Sequence, residues 1–210
     1  MPTPKKTPKK SAARSKADAP FDQAYYDRFY ESDATQVYGE SEVAHLCRAI
    51  TELIAWYGGD LRSVLDVGAG TGLWRDWFKA EKPGVRYLST EVSPYACQKY
   101  GHELHDISHW RGRERFDLVV CQGVLPYLSD DDASRAIENI AAMCRGFFYL
   151  EAITKRDLEE VVDRTRTDTT VRARTGRWYR SRLAAHFVPV GCGLYYAKNG
   201  PLVFYELERA

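Results

Sequence analysis

No window of this 210-residue chain approaches the roughly 20 continuous apolar residues that a membrane helix requires. The N-terminus also lacks the apolar core of a secretory signal. A cytoplasmic protein without membrane contact is the simplest expectation. No CxxC pair occurs, and the five cysteines (Cys47, Cys97, Cys121, Cys144, Cys192) are scattered and odd in number. That pattern argues against both a disulfide framework and a zinc cluster, leaving most of them as small buried hydrophobes. There is no internal repeat.

Charge is balanced overall but unevenly spread. Residues 1–20 hold six basic residues and one acid, a net +5; against +1 for the whole chain, the remainder carries −4. Four prolines and no large apolar residue after Met1 leave this segment nothing to bury against its ordering entropy, so a disordered tail is expected. Solubilisation is the simpler role for it, with contact to nucleic acid or another anionic partner as the alternative. A hydrophobic share of 44% suffices for one sizeable core, which makes residues 21–210 a single domain.

Within that domain Phe21–Ser32 is aromatic-rich, with Tyr25, Tyr26, Phe29 and Tyr30 at partly helical spacing. Ser41–Tyr57 places Val43, Leu46, Cys47, Ile50, Leu53, Ile54 and Tyr57 on one face, an amphipathic helix with Ser41 as candidate N-cap and Gly58-Gly59 as its stop. Strands and helices then alternate. Strands are expected at Ser63–Val67, Val85–Thr90, Glu103–His105, Phe116–Cys121 and Phe147–Ala152. The helices between them run through Trp74, Trp77 and Phe78, from Ser93-Pro94 to Gly101, and from Ser129 to before Gly146 with Cys144 on the buried face. Asp157–Asp163 and Trp178–His186 form helices around an irregular Arg/Thr segment. Val188–Ala197, a turn at Lys198-Asn199-Gly200-Pro201 and Leu202–Glu208 form a terminal hairpin. This alternation specifies a doubly wound α/β fold: a mostly parallel sheet, helices on both faces, and one antiparallel strand from the hairpin.

The chemistry concentrates at VLDVGAGTGLW, Val64–Trp74. In a doubly wound sheet ligands sit at the C-terminal ends of the strands near the topological switch point. Glycines there expose backbone amides that a Cβ would shield. The dinucleotide fingerprint GxGxxG would need glycine at position 73, where Leu73 stands; the spacing is GxGxG, preceded by Asp66. A nicotinamide-dinucleotide protein is the chemical competitor, because an acid after the second strand serves a ribose there too.

LDVGAGTG resembles the first motif of class I S-adenosylmethionine-dependent methyltransferases, and three further motifs follow in order. Glu91 ends the second strand 19 residues after Gly72, Asp106-Ile107 follows the third, and FDLVVCQGVLPYL (Phe116–Leu128) forms the fourth strand and its loop. The resemblance covers Phe21 to Ala210. It implies a Rossmann-like seven-stranded sheet and S-adenosyl-L-methionine as cofactor. It further implies that the cofactor is held by Asp66, Gly68, Ala69, Gly70, Gly72 and Leu73 in the first motif. Glu91 and Val92 follow, the acid accepting from both ribose hydroxyls; Asp106 and Ile107 meet the adenine, and Gln122 and Gly123 face the sulfonium and substrate. The resemblance also makes residues 21–57 a helical cap and 153–186 an insertion on the substrate side.

Such chemistry mainly aligns a nucleophile with an already electrophilic carbon, so neither a triad nor a metal is expected. His102, Glu103, His105, Asp106 and His109 superficially resemble metal ligands, but on a strand His102 and His105 face opposite ways. The Asp/Asn-Pro-Pro-aromatic motif of DNA amino-methyltransferases is missing after the fourth strand, and so is a Pro-Cys nucleophile. A small-molecule acceptor is therefore the first reading. Methylation of nucleic acid or protein, and a non-catalytic cofactor-binding module, are the alternatives. Arg164–Arg182 holds seven arginines with only Asp168 as an acid, which suggests an anionic acceptor. Tyr127, Arg172, Arg174 and Tyr179 are the candidate substrate-side residues, Arg172 and Arg174 pointing the same way if that stretch is extended.

Overall fold

The structure is a computed structural model that describes residues 21–32, 35–36 and 38–202. Chain order begins with α1 (Gln23–Phe29) and α2 (Glu40–Trp56), followed by β1 (Ser63–Val67), α3 (Leu73–Glu81), β2 (Arg86–Glu91), α4 (Pro94–Tyr100) and β3 (Glu103–Leu104). Next come β4 (Phe116–Gln122), a 3-10 turn at Leu125–Tyr127, α5 (Asp130–Met143) and β5 (Cys144–Glu151). The chain continues through α6 (Lys155–Glu160), α7 (Gly176–Leu183), β6 (Phe187–Gly191) and β7 (Leu194–Ala197).

The strands form one seven-stranded sheet in the order β3-β2-β1-β4-β5-β7-β6. Pairing is parallel from β3 through β5, and β7 alone runs antiparallel, between β5 and β6. The fold is thus the doubly wound, Rossmann-like α/β architecture. Strand alternation divides the core in two. Leu65, Val67, Val119, Cys121 and Phe148 pack against Ile137 and Ile140 of α5 and Leu183 of α7. Val64, Leu118, Val120, Phe147 and Tyr149 face Cys47, Ile50 and Ile54 of α2 and Trp74 and Phe78 of α3. Burial on both faces is why these strands read as unbroken apolar runs.

Because β1 is flanked by β2 on one side and β4 on the other, the chain reverses direction of winding there. The ends of β1 and β4 bound the crevice that this reversal leaves.

Several local expectations are corrected. Gly39, not Ser41, caps α2, and Glu42 Oε2 accepts the Gly39 N–H at 3.1 Å. α6 and α7 each start two residues earlier than expected, because Thr154 and Thr175 accept hydrogen bonds at their N-termini. Cys144 opens β5 rather than closing α5, yet stays buried. The stretch Val188–Ala197 is not one strand. Gly191, Cys192 and Gly193 all take positive φ, and this turn folds β6 back onto β7. The partner strand expected at its C-terminal end falls mostly on residues 203–208, outside the described residues, as does the basic segment 1–20.

Candidate active site

A cavity of about 890 Å³ opens at the C-terminal ends of the strands. A second, of about 240 Å³, shares with it Gly68, Gly70, Gln122, Gly123 and Tyr127, so the two form one continuous crevice. Its floor is the loop after β1. Gly68 and Ala69 donate their N–H groups to Thr90 O at 2.9 and 3.0 Å, pinning the loop to the end of β2. Gly68 has φ +69, and a Cβ there would run into Val124 Cγ2. Only glycine lets the β1 and β4 loops approach so closely.

His102 supports the same loop from beneath. Its Nε2 lies 3.1 Å from Gly70 O and its Nδ1 2.9 Å from Ser89 Oγ. A carbonyl can only accept, so Nε2 carries the proton and Nδ1 accepts from the Ser89 hydroxyl. Burial holds the imidazole pKa below its ordinary value, in keeping with this neutral tautomer.

Three acids at or next to the ends of strands line the crevice: Asp66, the penultimate residue of β1, Glu91 at the end of β2 and Glu151 at the end of β5. Asp66 is 3% exposed, and burial pushes its pKa up to about 7, against a 2.9 Å hydrogen bond from the Tyr87 hydroxyl. Glu91 receives the N–H of Gly70 at Oε2 (3.2 Å), and those of Val92 (2.7 Å) and Ser93 (3.0 Å) at Oε1. Burial raises the Glu151 carboxyl, with Gln122, Tyr149 and Tyr38 opposing.

Asp106 lies farther along the wall. Burial would lift its pKa, but the Ser108 N–H (2.9 Å), the Ser108 hydroxyl (2.6 Å) and His109 outweigh it and hold the carboxyl below its usual range. His105 leaves the histidine series to stack on Trp110 at 4.3 Å. Among the described residues no group of three or more His, Cys, Asp or Glu side chains could hold a metal.

Two segments overhang the crevice. From α1, Tyr25 reaches Tyr127, their hydroxyls 2.9 Å apart, while Phe21 packs edge-on to both rings. After α6 the chain crosses above the β4 loop, with the Arg172 N–H bonded to Pro126 O at 2.8 Å. Arg28, Arg164, Asp168 and Arg172 from these segments line the larger cavity.

Of the residues singled out in the sequence, Asp66, Ala69 and Leu73 line the smaller cavity. Glu91, Val92, Asp106, Ile107 and Arg172 line the larger, and Gly68, Gly70, Gln122, Gly123 and Tyr127 line both. Gly72 lines neither; it caps α3 with φ +88, against the Arg75 guanidinium. Arg174 and Tyr179 also lie off the crevice, both buried. Arg174 points away from it, donating to Leu125 O at 2.9 Å and to Leu128 O, and pairing with Asp130 at 2.8 Å. It therefore braces the 3-10 turn that carries Tyr127. Sequence reasoning passed over Glu151 and His102's hold on Gly70; an acid ending the apolar run FFYLE was the available signal for Glu151.

This site has the fit of an adenosyl cofactor with a ribose diol: a glycine loop without side chains to block close approach, a carboxylate at the end of β2, and apolar walls at Val92 and Ile107. The sequence profile of a methyltransferase domain matches residues 13–190. The chain thus belongs to that family and is a class I S-adenosylmethionine-dependent methyltransferase. An S-adenosylmethionine-dependent methyltransferase from Clostridium acetobutylicum is similar in structure, with a TM-score of 0.60 at 15% identity over 84% of this chain and 97% of that one. The sugar N-methyltransferase of a Streptoalloteichus species gives 0.60 at 17% identity over 94% and 98%. Magnesium protoporphyrin IX methyltransferase of Synechocystis with bound S-adenosylmethionine gives 0.53 at 16% over 84% and 92%. No curated protein matches the sequence significantly.

Proposed function

We propose that this methyltransferase acts on a small molecule bearing an anionic group, and that residues 21–210 form one domain whose 21–57 and 153–186 segments cover the acceptor. The observation that carries this reading is the crevice itself. About 890 Å³ lies within the range of small-ligand and cofactor sites, and it is overhung by α1 and the segment after α6, leaving little room for a macromolecular surface. Arg28, Arg164 and Arg172 supply planar donors suited to carboxylate or phosphate. Structural neighbours include a sugar N-methyltransferase and a magnesium protoporphyrin methyltransferase, whose named acceptors are small molecules.

When bound, S-adenosylmethionine supplies a methyl group made electrophilic by its sulfonium. The protein contributes position. Gly68, Gly70 and Glu91 seat the adenosyl end, with Asp66, Ala69, Leu73, Val92, Asp106, Ile107, Gln122 and Gly123 completing the seat. Phe21, Tyr25 and Tyr127 shield the crevice from water on one side, and Arg172 orients the acceptor from the other. Incubation with cofactor and a metabolite extract tests the reading. Products gaining one methyl mass, formed with S-adenosylhomocysteine, are expected; cofactor binding without any small-molecule product would overturn it.

A further inference from the structure

The smaller cavity has a chemistry that methyl transfer by alignment alone does not use. Its lining brings together Glu151, Asp66 and Asp168, with the rings of Tyr25, Tyr38, Trp74 and Tyr127, and among the described residues no lysine or arginine lines it. Glu151 is held in place at the end of β5. The Trp74 indole N–H donates to Gln122 Oε1 at 2.7 Å, which turns the amide so that its Nε2 donates to Glu151 Oε2 at 3.1 Å. The Tyr149 hydroxyl donates to the same oxygen at 3.2 Å. A carboxylate has about four accepting positions. These two donors and Tyr38 leave room for one more.

We propose that Glu151 is the catalytic base of this enzyme and that the acceptor atom is an amine nitrogen arriving as an ammonium ion. The inference rests on the small-molecule reading above and extends it: the anionic group of the acceptor lies toward Arg164 and Arg172, and its amine toward Glu151. A cavity with carboxylates, aromatic faces and no competing cation is one an ammonium ion enters at low cost. Of the three carboxylates here, Asp66 is taken up by the Tyr87 hydroxyl and Asp168 by the Thr170 N–H and hydroxyl, so the proton goes to Glu151. It passes from nitrogen to the Glu151 carboxylate, and the freed lone pair forms the bond to the methyl carbon. The carbon–sulfur bond breaks with its pair left on sulfur, giving a methylammonium product, and the Glu151 proton returns to water.

The groups that line the cavity and bear on its pH dependence are Asp66 on β1, Tyr38 before α2, Tyr25 on α1, Tyr30 just after it, Tyr127 in the 3-10 turn and Asp168 after α6, and Tyr149 on β5 touches Glu151 itself. The tyrosines stay neutral, since burial raises them all. Burial also raises Glu151, so the base form is lost at a pH above the usual carboxylate range.

Wild type and Glu151→Gln are compared with methyl-labelled cofactor and the low-molecular-weight fraction of a cell extract. The expected wild-type product is N-methylated, and kcat/KM falls as pH drops through the Glu151 titration. In Glu151→Gln that acid limb disappears and kcat/KM falls roughly a hundredfold. S-adenosylhomocysteine affinity by calorimetry stays unchanged. Carboxyl-labelled NMR of the cofactor-free protein supplies a reading independent of turnover: the one glutamate signal absent from Glu151→Gln titrates above the ordinary range. A product methylated on oxygen, carbon or sulfur overturns the assignment, as does an unaltered rate or acid limb in Glu151→Gln, or an ordinary titration. Failure of the wild type to label any small molecule overturns the small-molecule reading and this assignment together.

Discussion

The Trp74 indole N–H sits 2.7 Å from Gln122 Oε1, and that bond helps fix the amide with its Nε2 toward Glu151. Trp74 comes from α3 and Gln122 from the end of β4, so packing on one face of the sheet sets polar geometry at its edge. Trp74→Phe keeps a ring against Phe78 and Tyr149 but removes the donor. The expected result is a several-fold lower kcat/KM, on the scale of one lost hydrogen bond of about 1 kcal/mol. With Gln122 free to turn, the acid limb of the pH profile moves upward. An unchanged profile would mean that the amide is oriented by something else.

Asp66 makes stability depend on pH with a definite sign. Its folded pKa, about 7, lies above the unfolded value, so the folded state binds the proton more tightly. Stability from this group is present below the unfolded pKa and is lost as pH rises from about 4 through about 7. Asp66→Asn removes the buried charge. Denaturant titrations should find the variant more stable than wild type at pH 8, by at most on the order of 4 kcal/mol, and the two alike at pH 4. Affinity for S-adenosylhomocysteine should fall in the same variant, since its seat includes this carboxylate.

Glu91→Ala is expected to weaken binding of S-adenosylmethionine and its demethylated product by about 1–3 kcal/mol. The same change strands the N–H groups of Gly70, Val92 and Ser93, so thermal unfolding should also occur at lower temperature. Glu91→Gln retains acceptors for part of that set and separates the two effects: closer to wild-type stability, still reduced affinity. Calorimetry with wild-type affinity in a folded Glu91→Ala protein would sink the assignment of Glu91 to the ribose.

Arg172 and Arg174 should behave differently. Arg172→Ala is expected to raise KM for the acceptor while cofactor affinity holds, because Arg172 is among the residues that line the cavity. Arg174→Ala removes the guanidinium donor from the Leu128 carbonyl, leaves the Leu125 carbonyl only the Leu128 N–H, and should cost about 1–3 kcal/mol in chemical unfolding. Lysine at 174 should not restore stability, as one ammonium cannot reproduce the guanidinium fork that also lies over Trp178.

Much of the frame was legible from residues alone. Ser93 and Ser129 cap α4 and α5 as their sequence positions suggest, and Ser63–Val67 is a strand with the expected bounds. The break inside Val188–Ala197 was not legible, because that stretch has the composition of a strand throughout. Cys192 takes positive φ, which is uncommon for a non-glycine residue and leaves little trace in composition.

Periodicity, caps and glycine spacing act over a few residues, so the sequence by itself determined the alternating elements, the glycine loop and the acids Asp66 and Glu91 beside it. Which way a side chain turns in an irregular segment depends on partners far along the chain. Arg174 is committed to Leu125, 49 residues away, and Arg172 is left to the cavity. Glu151 became part of the site only when β4 and β5 paired and brought Gln122 level with it. Tertiary structure decided these points, because an unpartnered buried polar group is costly and folding selects the arrangement that pairs them.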